Sequence, residues 1–483
     1  MENLLLELQN IQVQFLEKDV LHIPYLAVHQ FDRIGIVGKN GAGKSTLLKL
    51  IAGELLPQQG SIMKLVDFFY VKQINPPLLT DLVDTNLLHK LQANNAHSGG
   101  EQMRLKIAQA FSHYYEAMLL DEPTTHLDQQ GIQFLAEQLK YYYGALLIVS
   151  HDRALLDATV TTIWEFEDGQ ITVYTGNYSD YEAQKMLERT QQQAAFDKYE
   201  RKKRHLEKAA SEKMKKAEKI TSTAKLSKND RGAKANRIHE TKSKGTSQKS
   251  MHKVAKAIEK RMEQLQVVEP VQQQADICFY SSPALTIHNR IPIMLDQLNL
   301  SIDNRVLLHN VRAQIGLHQK VAITGPNGSG KSTLLQSIAT GHPNIIVSPK
   351  VKFGVFSQLA YQSLPAEENV LSFIQKQSDY HETMIRSVLH QMQFDTVDLQ
   401  KNIQDLSGGE RIRLLLCALF LGHYNVLLLD EPTNFLDMYT KDALARFIKA
   451  YSGTILFVTH DAYFTKQVAT RLYEIQNQYL IEI

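Results

Sequence analysis

Gly38-Lys39-Asn40-Gly41-Ala42-Gly43-Lys44-Ser45 and, 287 residues further on, Gly325-Pro326-Asn327-Gly328-Ser329-Gly330-Lys331-Ser332 are two copies of one phosphate-cradling pattern. Its glycines let successive backbone N–H groups curl around phosphate oxygens, the lysine reaches the β- and γ-phosphates, and the last hydroxyl holds Mg²⁺. Thr46 and Thr333 follow directly and are counted with the loops as nucleotide-binding. Each copy stands between an apolar strand, Ile34 to Val37 or Val321 to Thr324, and a helix. A single match would be weak, but two in the same strand–loop–helix context specify an α/β nucleotide-binding domain present twice.

Working outward, the same motifs follow each loop. After the first come Gln73, Ser98-Gly99-Gly100-Glu101, Asp121-Glu122-Pro123, Leu127-Asp128 and Ser150-His151-Asp152. After the second come Gln358, Ser407-Gly408-Gly409-Glu410, Asp430-Glu431-Pro432, Leu436-Asp437 and Thr459-His460-Asp461. Serine to aspartate is 23 residues in both trains, and aspartate to histidine is 30 in both. That register identifies a duplicated domain.

The two trains resemble the motifs of ATP-binding cassette (ABC) ATPases over nearly the whole chain outside residues 182 to 284. The resemblance implies ATP and Mg²⁺, and each residue type has a chemical reason for its place. Asp121 and Asp430 end apolar strands, so a carboxylate emerges beside the loop where it can bind Mg²⁺ through water. With Ser45, Ser332, Gln73 and Gln358 these form the expected metal sets. Glu122 and Glu431 fit a base polarising the attacking water, and His151 and His460 would sense the γ-phosphate. Each Ser-Gly-Gly turn opens a helix and offers an anion site at its N-terminus. In this family the turn closes over the nucleotide of the opposite domain. Lys44 is therefore expected to share a site with Ser407 to Gly409, and Lys331 with Ser98 to Gly100, by intramolecular pairing in a monomer.

Composition agrees with such a machine. The chain has 483 residues, enough for two to three domains, and 43% hydrophobic content, enough for substantial cores. Two cysteines, Cys278 and Cys417, are too few for a disulfide framework, an iron–sulfur module or a zinc ribbon. That argues against the ABC ATPases of ribosome recycling and DNA repair, which carry cysteine-rich metal modules. The start Met1-Glu2-Asn3-Leu4-Leu5-Leu6-Glu7 has neither the basic region nor the apolar segment of a signal peptide. No apolar run approaches the roughly 20 residues needed to cross a bilayer. A cytoplasmic protein with no fused membrane domain is expected.

Between the cassettes the pattern changes. The first, residues 1–181, closes with a hairpin sequence, Ile163 to Ile171, whose Asp168-Gly169 favours a tight turn, and then with Gly176-Asn177-Tyr178-Ser179-Asp180-Tyr181. Residues 182–284 form a linker, and 285–483 the second cassette. Glu182 to Ile220 has good helix formers and an incomplete apolar stripe. A second helical pattern through Val254, Ile258, Met262 and Leu265 ends at Glu269-Pro270. Between them, 221–249 is small, polar and basic, which reads as the extended tip of an antiparallel hairpin. Glu182 to Glu263 carries about 24 Lys and Arg against about 11 Asp and Glu, near +13, in a chain of formal charge +2. A mere spacer would intersperse its acids and stay near neutral. A basic rod on acidic bodies points instead to a polyanion, and without a base-reading module its contacts would follow RNA shape and backbone.

Twin cassettes joined by a basic linker resemble the ABC-F family of ribosome-binding translational ATPases. That resemblance implies a ribosome-associated protein. Its linker would enter the ribosomal E site, meet 23S rRNA and peptidyl-tRNA, and point toward the peptidyl-transferase centre. Only 24 residues separate Gln73 from Ser98, which leaves no room for the arm insertion of the housekeeping branch. This, the long tip, the stretch Tyr141 to Arg153 and the Gly-Asn-Tyr closure are similar to the antibiotic-resistance, ribosomal-protection members, especially the Msr-like group. Two positions depart from the cassette pattern. His97 stands where a leucine is usual, and Leu406 keeps that leucine in the second copy. Phe15 supplies the adenine-stacking aromatic of the first cassette, whereas Leu300 to Asn304 has none, so the two sites are expected to differ. Competing readings are a housekeeping ABC-F factor, the ATPase subunit of a membrane importer and a DNA-associated ATPase. The importer has no need of a basic hairpin, and DNA-associated coiled coils interrupt one cassette instead of joining two complete ones.

Overall fold

In the computed structural model the described residues are 3–15, 18–72, 99–125, 127–167, 169–225, 286–302, 305–357 and 360–483, with short stretches between 253 and 279. The chain divides into two compact units, one of Met1–Tyr181 with Ala275–Ile483 and the other of Glu182–Gln274. The first unit holds both cassettes.

The first cassette runs β1 (Leu4–Phe15), β2 (Lys18–His29), β3 (Arg33–Gly38), α1 (Lys44–Ala52), β4 (Gln59–Lys64), β5 (Phe68–Val71), α2 (Gly99–Ser112), β6 (Ala117–Asp121), α3 (Gln129–Lys140), β7 (Ala145–Val149), α4 (Arg153–Thr159), β8 (Thr162–Glu167) and β9 (Gln170–Thr175). Strands β6 and β7, Ala-Met-Leu-Leu-Asp and Ala-Leu-Leu-Ile-Val, are buried at every position. A parallel strand covered on both faces is apolar until its end, where β6 delivers Asp121 to the site, and helices lie on both sides of this sheet. Its order is β5-β6-β7-β3-β8-β9. Alternate residues point to opposite cores: Ile34, Ile36, Leu119 and Leu147 join α1 and the β1–β2 hairpin, while Val37, Met118, Leu120 and Leu146 join α2, α3 and α4. A smaller antiparallel sheet, β2-β1-β4, covers the first of these cores.

The second cassette runs β10 (Ile293–Ile302), β11 (Arg305–Ile315), β12 (Lys320–Thr324), α6 (Lys331–Thr340), β13 (Ile345–Val347), β14 (Phe353–Phe356), α7 (Val370–Gln375), α8 (Glu382–Gln391), α9 (Gly408–Leu421), β15 (Val426–Asp430), α10 (Met438–Ala450), β16 (Thr454–Val458), α11 (Ala462–Val468), β17 (Arg471–Gln476) and β18 (Tyr479–Glu482), with α5 described below. Its main sheet, β14-β15-β16-β12-β17-β18, repeats the first strand for strand. In both, parallel pairing aims the C-terminal strand ends of β3, β6 and β7, or β12, β15 and β16, at one edge where the motifs collect.

The long helix α5 covers Tyr178–Lys225. Asn177 and Asp180 start it reciprocally: each backbone N–H donates to the other's side chain, at 3.1 and 3.0 Å. Its 48 residues give a length of about 72 Å. The expected helix from Glu182 therefore begins one turn earlier, because Tyr178 and Tyr181 are buried in the first cassette and extend the helical register backward. Within the second unit the helix is mostly exposed and supported by pairs such as Arg204–Glu200 at 3.1 Å. Residues 253–254, 256–258 and 260–262 are helical too, whereas tip positions 226–250 lie outside the described residues.

Candidate active site

Each phosphate loop ends in a left-handed backbone turn that glycine adopts without strain. Gly43 has φ 108° and Gly330 φ 98°, and each is the N-cap of the following helix with no side chain capping it. The first amides of α1 and α6 are thus left for an anion. Lys44 Nζ donates to the carbonyls of Gly38 and Lys39 at 2.8 and 2.9 Å, and Lys331 Nζ to those of Gly325 and Pro326 at 2.9 and 2.8 Å. Burial lowers both lysine pKa values, against the pull of the carboxylates nearby.

Asp121 and Asp430, at the ends of β6 and β15, face these loops. Ser332 Oγ donates to Asp430 at 2.9 Å, and Ser45 bonds Asp121. Burial raises both carboxyls. A serine hydroxyl beside a half-desolvated carboxylate, next to a phosphate cradle, is an oxygen donor set suited to Mg²⁺, which takes few protein ligands and fills the rest with water and substrate phosphates.

The next residue bends back sharply. Glu122 and Glu431 have φ 49° and 51°, and their N–H groups donate to Val149 and Val458 of the neighbouring strands at 2.9 Å. The bend sets Glu122 Oε1 and Glu431 Oε1 each 3.3 Å from the Nε2 of His151 and His460. Desolvation pushes Glu122 up to about 7 and Glu431 up to about 8. It also drives His151 well below its ordinary value and His460 down to about 4, so both imidazoles are neutral at pH 7.

The cassettes face each other head to tail. Asn40 of the first loop donates its N–H to Asp437 Oδ2 at 2.8 Å and its side-chain amide to the Phe435 carbonyl at 3.0 Å. Reciprocally, the Asn327 N–H donates to Asp128 Oδ2 at 3.2 Å. Both aspartates also cap helices, α3 and α10. A continuous cavity of about 1530 Å³ is lined by Lys44, Ser45, Asp121, Glu122 and His151 from one cassette, Lys331, Ser332, Glu431 and His460 from the other, and Ser407 with Gly409. Ser407 opens α9 with a capping box to Glu410. Gly99 and Gly100 open α2. Gln73, Ser98, His97 and Gln358 lie outside the described residues, as does the side chain of Phe15.

Four residues of this region escaped the motif reading. Tyr70 of β5 donates to Asp121 Oδ2 at 3.1 Å. Ile302 and Arg305 line the cavity at the second cassette. Their signal lay in hairpin register: Ile302 pairs with Arg305 as Phe15 pairs with Lys18, so Ile302 occupies the position of the missing aromatic. Lys441 donates to the His151 carbonyl at 3.0 Å and to Asp461 Oδ2 at 2.8 Å.

The family model described as "ABC transporter" matches residues 21–75 and 308–434. The erythromycin resistance ATP-binding protein MsrA of Staphylococcus epidermidis is 37% identical over 490 residues, covering all of both chains. The ribosome protection protein VmlR of Bacillus subtilis is 34% identical, over 97% of this chain and 86% of that one. Among solved structures, archaeal ribosome recycling factor aABCE1, in complex with ribosomal stalk protein aP1, superposes with a TM-score of 0.62 at 18% identity, covering 96% of this chain and 87% of its own. That likeness concerns the fold. Full-length identity to relatives of this kind, on a twin-cassette fold whose duplicated motifs are brought together, makes the chain an ATPase of the ABC-F family, in its Msr-like group.

Proposed function

We propose that the protein binds the ribosome in an ATP-dependent manner and protects translation from antibiotics that act at the peptidyl-transferase centre or exit tunnel. The observation that carries this reading is the basic segment headed by α5: near +13 over 182–263, helical for about 72 Å, and attached to a twin-cassette ATPase. The names of MsrA and VmlR, which span most or all of the chain, support it. Among the described residues no helix is long and apolar enough to cross a membrane.

In this reading two ATP molecules bind in the shared cavity. The loop amides and Lys44 or Lys331 hold the phosphates, and Ser407 to Gly409 or Ser98 to Gly100 cover them from the opposite cassette. Mg²⁺ would be held by Ser45 with Asp121 and by Ser332 with Asp430, joined by Gln73 and Gln358, and would neutralise charge on the phosphates. Glu122 and Glu431 accept a proton from the attacking water. His151 and His460, neutral and with Nε2 3.3 Å from these carboxyls, meet the terminal phosphate. The ATP-bound, closed protein holds the E site with the linker against 23S rRNA and peptidyl-tRNA, and hydrolysis releases it.

The test is a panel of minimum inhibitory concentrations in a sensitive host, comparing the parent with the double variant Glu122→Gln/Glu431→Gln. Raised values for at least one ribosome-directed class with the parent, and none with the variant, are expected. No protection from any such class by a well-expressed parent would overturn the reading.

A further inference from the structure

The two ATP sites are related by the pseudo-symmetry of the duplication, yet the regions behind them are built differently. Aligned by motif, Arg153 and Glu165 of the first cassette correspond to Ala462 and Glu474. Tyr439, Lys441 and Asp442 of the second correspond to Gln130, Ile132 and Gln133. Behind the site containing Lys44 the bulky and charged set is assembled into one network. Glu165 Oε1, on a side chain only 2% exposed, accepts from the Tyr181 hydroxyl at 2.6 Å and the Tyr439 hydroxyl at 3.2 Å. Arg153 Nη2 donates to both carboxylate oxygens of Asp442 at 2.8 and 3.0 Å, and its guanidinium lies over the rings of Tyr178 and Tyr463, 5.4 and 4.3 Å from their centroids.

Tyr178 and Tyr181 form the first turn of α5, and Tyr439 stands two residues beyond Asp437, the partner of the Asn40 amide. A path of three hydrogen bonds and one helical turn thus joins the start of the linker helix to the first phosphate loop. Behind the other site the equivalent space is a cavity of about 450 Å³, lined by Gln130, Ala462, Glu474 and Thr465 with Ile483.

We infer that Glu165 and Tyr439 are positioning residues that couple the first turn of α5 to the ATP site containing Lys44, and not to the site containing Lys331. A buried carboxylate that accepts from two hydroxyls on different elements fixes their separation, because releasing either donor leaves a desolvated charge short of a partner. Closing the second cassette on the first loop then sets the seat of α5, and hydrolysis at Lys44 loosens it. The inference rests on the ATPase activity and is independent of what the linker binds.

The test measures each site alone. ATP turnover is followed in a Glu431→Gln background, which keeps the base of the Lys44 site, and in a Glu122→Gln background, which keeps that of the Lys331 site. Adding Tyr439→Phe should lower kcat about tenfold in the first with KM within about twofold, and leave the second unchanged. Glu165→Gln, which retains an acceptor oxygen, should fall between the parent and Glu165→Ala. As a second reading, hydrogen exchange of amides 178–185 in full-length Glu122→Gln/Glu431→Gln protein should slow on adding ATP, and Tyr439→Phe should abolish that slowing. Equal losses in both backgrounds, or ATP-dependent protection that survives Tyr439→Phe, would overturn the inference. If either background turns over too slowly to time, the exchange result decides.

Discussion

Tyr70 donates a hydrogen bond of 3.1 Å to Asp121, while the strand position equivalent to Tyr70 in the second cassette is Val355. Burial and the neighbouring carboxylate hold the phenol far above its ordinary pKa, so it is always a donor. It draws charge from one oxygen of the carboxylate that we propose serves Mg²⁺. Tyr70→Phe should therefore lower the Mg²⁺ concentration for half-maximal turnover by about two- to fivefold in a Glu431→Gln background, with no change in a Glu122→Gln background. Magnesium titrations of ATPase activity check this.

Glu122→Gln with Glu431→Gln should retain ATP and abolish turnover, since the amide keeps the size and loses the basicity. Nucleotide-binding and phosphate-release measurements separate the two effects, and wild-type turnover would dismiss these glutamates as bases.

The same residues give a pH signature of stability. Their folded pKa values, about 7 and about 8, are raised above the ordinary 4.5 by burial. The folded protein holds their protons longer than the unfolded chain, so stability is full below about 4.5 and lost as pH rises through 7 and 8. Replacing the carboxyl by an uncharged amide removes that loss. Thermal melts of nucleotide-free protein should show Glu431→Gln more stable than the parent at pH 8.5, by several degrees, and nearly equal to it at pH 5.

Where the first cassette has Phe15 the second has Ile302, with Arg305 lining the cavity. Arg305→Ala should weaken nucleotide binding several-fold at the site containing Lys331, read by fluorescent-ATP titration in a Lys44→Ala protein, because the guanidinium is the group beside Ile302 able to stack on a purine. Phe15→Ala should do the same only for the Lys44 site, in a Lys331→Ala protein.

Replacing Lys225 to Gln248 by a short Gly/Ser turn should spare ATP-dependent ribosome co-sedimentation and abolish drug protection. That segment is rich in charge and poor in apolar residues, as expected of one that orders on RNA. Full protection by the shortened protein would reduce the tip to a spacer.

The repeated fold is legible in the chain because phosphate chemistry demands particular residues in particular order, and because strands such as Met118 to Leu120 must be apolar to lie between two helix layers. Asp121, Glu122 and His151 converge as their spacing implies. What stayed hidden depends on tertiary register. Tyr70 is an ordinary strand aromatic until β5 is laid beside β6. Arg305 gains meaning only when the β10–β11 hairpin is paired. Glu165 and Tyr439 are 274 positions apart, and no local pattern marks them as partners.

Met438 of the second cassette is buried within the helical core of the first, where the symmetry-related position on the other side is Gln129. Two separate identical subunits would have to repeat every such contact, so any change would be felt twice. Covalent fusion removes that constraint, and each face can drift alone: one takes a buried methionine where the other keeps a glutamine. From one duplicated surface the molecule has acquired two unlike seams, so a substitution at either can be felt once instead of twice.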